Sequence, residues 1–152
     1  ELRLPTEQIE GLRLAAVLHD IGKIHVPAEI LASPRKLTAA EFEIIKTHPT
    51  VGYDILKDIG FPTPVARIVL QHHERLDGSG CPTGLKQEQI LLDARSLCVA
   101  DVVEAMASHR PYRPGLGVPK ALQEISEHKG QMYDPDVVSA CISLFESKQF
   151  EL

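Results

Sequence analysis

The sequence predicts an all-α fold, a single-domain helical bundle. Apolar residues recur at intervals of three and four along much of the chain, the period of one helix face. Helix start signals, a capping box and several prolines placed for a first turn, punctuate those runs. No internal repeat, low-complexity tract or convincing alternating strand pattern interrupts them. The 152 residues are taken as one unit, 1–152. With 43% hydrophobic and 24% charged residues, the composition is that of a globular chain able to bury a substantial core.

Residues 7–19 carry Ile9, Leu12, Ala16 and His19 at offsets of three, four and three, so His19 is expected to extend an inward-facing stripe. A histidine there is usually a core residue with a hydrogen-bond partner. The adjacent Asp20 is harder to explain as filler, since burying a carboxylate without a partner is costly. Gly22 permits close backbone approach and Lys23 adds a positive charge. His25, in a short loop before Pro27, carries little functional weight.

Thr38-Ala39-Ala40-Glu41 has the form of a capping box and predicts a helix through Phe42, Ile45 and Lys46, breaking near His48-Pro49. Pro49 is placed to start the next helix, with Val51, Ile55, Leu56 and Ile59 turned to the core and Gly60 as its stop. Thr63 is an expected N-cap, with Pro64 in the first helical position and Val65, Ile68, Val69 and His72 on one face. His73 is turned about 100° from His72 in a helix of ~3.6 residues per turn, so the two imidazoles can flank one site. The 76–84 segment is dense in turn formers. Leu91 to Ala107 reads as a long apolar helix with Asp101 in its middle, a setting in which a carboxylate is normally paired or metal-bound. Pro119 to about His128, and a segment from Asp134-Pro135 to Phe145, complete the packing elements.

No apolar stretch is long enough to cross a bilayer and no signal peptide is visible. The formal net charge of −5 argues against a nucleic-acid polymer as main partner, because such binding relies on a basic surface. A small phosphorylated ligand remains compatible, since local cations can hold it. Cys81, Cys98 and Cys141 are odd in number and far apart, which fits reduced thiols in a cytoplasmic protein. The chain starts at Glu1 without a methionine, and is expected to be a piece of a longer protein with an upstream sensor or receiver region.

The residue types suited to metal and phosphate chemistry are His19, Asp20, His48, His72, His73 and Asp101. Imidazole and carboxylate together suit Fe, Mn, Zn or Co. Arg110 and Arg113 offer two guanidinium groups that read either as exposed arginines on a proline-rich connector or as a phosphate clamp.

In His19-Asp20-Ile21-Gly22-Lys23, Lys46-Thr47-His48-Pro49, the run His72 to Pro82, Val99-Ala100-Asp101-Val102 and Arg110-Pro111-Tyr112-Arg113, the chain resembles the HD-GYP family, a subgroup of the HD-domain metal phosphohydrolases. Each motif is modest alone, but five in this order are specific. The resemblance implies a helical bundle with two or three divalent metal ions, iron or manganese foremost, that hydrolyses cyclic di-GMP to the linear dinucleotide or GMP in bacterial signalling. It makes His19, Asp20, His48, His72, His73 and Asp101 metal ligands, with Asp20 bridging. Lys23 would contact the phosphate or assist the leaving oxygen, and Arg110 and Arg113 would hold the second phosphate. Two ions sharing a carboxylate suit an in-line displacement at phosphorus.

Three departures stand out. The family has a further histidine ligand, and in some members a glutamate, on a helix upstream of the His-Asp pair, whereas positions 1–18 contain no histidine. Cys81 replaces the tyrosine of the family's name, in the 77–84 loop through which other signalling domains are expected to dock. Glu104 stands where aspartate is usual. The alternatives are therefore a phosphohydrolase for another cyclic dinucleotide, such as cyclic GMP-AMP, and a non-catalytic module that binds a nucleotide or partner protein.

Overall fold

A computed structural model describes residues 2–108, 115–147 and 150. Helix α1 (Thr6–Leu18) buries Gly11 and Ala15 and half-buries Leu12 and Leu18. The expected stripe is rotated, because Ile9, 43% exposed, and Ala16 face solvent. Small residues decide this docking. A Cβ on Gly11 would lie 2.7 Å from Cβ of Thr63, so the helix approaches its neighbour along its glycine side rather than along its largest apolar residues.

A 3₁₀ turn (Ile21–His25) and the short α2 (Ala28–Leu31) lead to α3 (Ala39–Ile45). The predicted capping box is present: Thr38 Oγ1 accepts from Glu41 N at 3.3 Å, and the Glu41 carboxylate accepts from Thr38 N at 2.7 Å. Arg35 adds two charge-assisted bonds to Glu41. Those bonds, then Thr38, pull the Glu41 carboxyl down to about 2.

Helix α4 (His48–Leu56) starts one residue before Pro49 and buries His48, Pro49, Gly52 and Leu56. Ile55 and Ile59, expected in the core, are exposed. Gly52 again explains the difference. A Cβ there would meet Val69 Cγ1 at 2.9 Å, so α4 packs through its glycine onto α5 (Val65–Gln71). Thr63 caps nothing through its side chain; Pro64 occupies the N-cap, and the Thr63 side chain packs over Gly11 instead.

After a second 3₁₀ turn (Gln87–Gln89), α6 (Leu92–Ala107) runs as the shared spine of two core clusters. Its Ala94 and Leu97 pack with Ala15, Leu56, Ile68 and Val69. Its Cys98, Val99 and Val103 pack with Ile125 of α7 (Val118–Glu127) and Val137 and Val138 of α8 (Pro135–Glu146). Asp134 caps α8 by accepting from Asp136 N and Val137 N. Among the described residues no strand forms beyond an isolated bridge between Lys129 and Tyr133, so the all-α expectation holds. None of the described helices is long and apolar enough to cross a membrane.

Candidate metal centre

Helix ends deliver most of the polar side chains to one place. His19 is the C-cap of α1, Asp20 precedes the first 3₁₀ turn, His48 opens α4, and His72 is the C-cap of α5, with His73 next to it. Asp101 comes from the middle of α6. Gly22 lets the 3₁₀ turn close on α4, since a Cβ at that position would run into the His48 carbonyl and lie 2.6 Å from Gly52 N. All six expected donors are thus brought together.

The hydrogen bonds of the histidines fix which ring nitrogen is available. Nδ1 lies 2.7 Å from the Ala16 carbonyl oxygen in His19, 2.7 Å from that of Ile45 in His48, and 2.6 Å from that of Val69 in His72. In each case the acceptor is the backbone oxygen three residues earlier. A carbonyl only accepts, so Nδ1 donates, and the neutral ring keeps a lone pair on Nε2. His48 Nε2 and His72 Nε2 then face each other at 3.4 Å with no proton to share. Two acceptors so placed repel unless a cation lies between them.

Burial keeps the rings of His48, His72 and His73 neutral. It pushes His48 below its usual value, and takes His72 to about 3 with help from the neighbouring His73. His73 also drops to about 3, through burial first and then its closeness to His48 and the Arg75 guanidinium. The His72 and His73 ring centroids are 4.0 Å apart with planes tilted by 39°. The nitrogens available on His48, His72 and His73 lie within 4.8 Å of one another, a group able to hold a metal ion.

The carboxylates each face two imidazoles. Asp20 places Oδ1 3.5 Å from His48 Nε2 and Oδ2 3.5 Å from His19 Nε2. Asp101 places Oδ1 3.8 Å from His19 Nε2 and Oδ2 3.8 Å from His73 Nδ1. Burial raises the Asp20 carboxyl, but Lys23, with Nζ 2.6 Å from Oδ2, outweighs it together with His19 and His48 and holds it below the ordinary carboxylate value. Imidazoles and carboxylates in this arrangement fit divalent first-row ions.

The cleft of about 540 Å³ above these donors is also lined by Lys46, Arg75 and the 79–81 segment. Glu74, 2% exposed, holds that loop from beneath: its carboxylate accepts from Thr83 N at 2.7 Å and Leu85 N at 3.0 Å. The sequence alone does not mark Glu74 or Arg75 as functional. Their position directly after His72-His73 was the available signal. Arg110 and Arg113 lie outside the described residues.

A family model described as "HD domain" matches residues 1–137. The chain belongs to the HD-domain family. This HD domain is 42% identical over 144 residues to the cyclic di-GMP phosphodiesterase response regulator RpfG of Xanthomonas campestris pv. campestris, covering 93% of the chain and 38% of that relative. It is 45% identical over 138 residues to a cyclic di-GMP phosphodiesterase of Thermotoga maritima, covering 90% of the chain and 38% of that protein. These relatives bear out the HD-GYP resemblance, and the chain spans about two fifths of their length. In fold, the HD domain is similar to the crystal structure of a cyclic GMP-AMP-specific phosphodiesterase of V. cholerae (V-cGAP3), with a TM-score of 0.70 at 21% identity, over 97% of this chain and 41% of that one.

Proposed function

We infer that the protein is a metal-dependent phosphodiesterase that opens cyclic di-GMP to the linear dinucleotide or GMP in bacterial second-messenger signalling. The observation that carries this reading is the pair of buried, neutral imidazoles whose Nε2 lone pairs converge at 3.4 Å, with the Asp20 carboxylate 3.5 Å from His48. The relatives named as cyclic di-GMP phosphodiesterases support the substrate.

His19, Asp20, His48, His72, His73 and Asp101 would hold two or three divalent ions, iron or manganese, and positions 1–18 offer no further histidine. Bound there, the ions supply Lewis acidity toward a phosphate oxygen and a water of lowered pKa. Asp20 is the bridging candidate, because its two oxygens point to different histidines. The backbone bonds at Nδ1 keep three of the rings in the tautomer that leaves Nε2 free. Lys23 neutralises Asp20 and stands at the cleft wall, where its ammonium would contact the phosphate or hold a proton for the leaving oxygen. Arg110 and Arg113 would take the second phosphate.

The test is chromatography of products from cyclic di-GMP, using the full-length protein loaded anaerobically with iron or manganese. Linear dinucleotide or GMP that forms only with metal supports the reading. Turnover of cyclic GMP-AMP alone would move the substrate assignment, and turnover of neither would remove the enzyme reading.

A further inference from the structure

Three cations line the metal cleft, and they are not equivalent. Lys23 is paired with Asp20 at 2.6 Å, and Lys46 with Glu43 at 2.7 Å. Arg75 meets no carboxylate within ion-pair distance among the described residues. The one side-chain hydrogen bond it makes there goes to Cys98 Sγ, and its guanidinium carbon sits 5.0 Å from the centre of the Tyr133 ring. A thiol and an aromatic face orient a guanidinium without neutralising it. With five N–H groups and one used, Arg75 keeps donors for an anion.

Its position gives those donors a target. Arg75 follows His73 by two residues, and Cys98 lies one helical turn before Asp101 on α6. Arg75 therefore borders the cleft beside His73 and Asp101, whereas Lys23 borders it beside Asp20.

We propose that Arg75 is a substrate-binding residue whose guanidinium takes a phosphate group of the phosphodiester substrate on the His73–Asp101 side of the cleft. Tyr133 and Cys98 hold its plane in place before the ligand arrives, so little side-chain freedom is lost on binding. A planar fork matches two phosphate oxygens at once, which an ammonium does not. This proposal rests on the cyclic-dinucleotide reading of the same cleft.

The experiment is calorimetric binding of a hydrolysis-resistant phosphorothioate analogue of cyclic di-GMP to the manganese-loaded full-length protein and to its Arg75→Met and Arg75→Lys variants. Metal content and melting temperature are recorded for each. Loss of a charge-assisted phosphate contact predicts a Kd raised about ten- to a hundred-fold in Arg75→Met, with metal content unchanged. Arg75→Lys retains the stem and the charge, folds as the wild type does, and shows a smaller but clear weakening. Wild-type Kd in both variants overturns the proposal, whatever their melting temperatures, and leaves Arg75 as a strut between α6 and the Tyr133 segment. Tight analogue binding that depends on Arg75, in a protein that cleaves no cyclic dinucleotide, would sink the enzyme reading while leaving this one intact. No binding to the wild type would remove both.

Discussion

His48 Nε2 and His72 Nε2 stand 3.4 Å apart, while the Nδ1 of each ring donates to the carbonyl three residues behind it. This relationship turns a set of suggestive residues into a candidate site. Helix geometry sets the tautomer, the tautomer leaves two lone pairs facing, and burial keeps both rings from resolving the conflict by protonation.

Removing one of the pair should therefore weaken metal binding steeply. Partners beyond the ligands themselves commonly account for about 10–100-fold in metal affinity, so His72→Ala is expected to lower manganese affinity by more than about a hundred-fold. Competition with a fluorescent chelator measures it. Wild-type affinity in this variant would take His72 out of the ligand set.

The metal-free protein should lose stability in acid over a defined window. His72 and His73 have folded values of about 3, and an unfolded histidine titrates near ~6.5. Between those values the unfolded chain binds more protons, so stability falls as pH drops from about 6.5 toward 3 and these groups add no further loss below that. Urea midpoints of chelated protein across this range check the sign. A midpoint that rises on acidification contradicts it.

Glu74→Ala is expected to release the 77–84 loop. The carboxylate receives two backbone N–H groups and is buried, so its removal should cost about 2–3 kcal/mol and speed proteolysis within the loop. Urea denaturation and timed digestion read the two effects.

Gly22→Ala should be damaging although it adds one methyl group. The new Cβ would collide with the His48 backbone and force the 3₁₀ turn away from α4, separating Asp20 and His19 from His48. Both the melting temperature and metal affinity should fall. Ile125→Ala provides the contrast, since Ile125 is fully buried in the cluster against α8: about 2–5 kcal/mol of stability lost, with metal affinity kept.

The helical class and all six candidate donors were legible in the sequence, because donor chemistry is written in residue type and helix ends are written in prolines and the Thr38–Glu41 box. Helix orientation was not. Apolar periodicity gives weight to large residues such as Ile9, Ile55 and Ile59, whereas Gly11 and Gly52 decide where α1 and α4 dock by letting a neighbour approach. The environment of Arg75 was hidden for another reason. Cys98 and Tyr133 are distant in sequence, and only the tertiary fold brings a thiol and a ring to the same guanidinium.

If the facing imidazoles of His48 and His72 belong to a metal centre, a bound ion will sit against them. The most direct test is anomalous diffraction from manganese-soaked crystals, collected at a wavelength where the ion dominates the signal. An anomalous peak within coordination distance of Nε2 of His48 or His72, with a second in reach of Asp20 or Asp101, is the predicted result. A metal-replete crystal with peaks only at surface carboxylates would contradict the account.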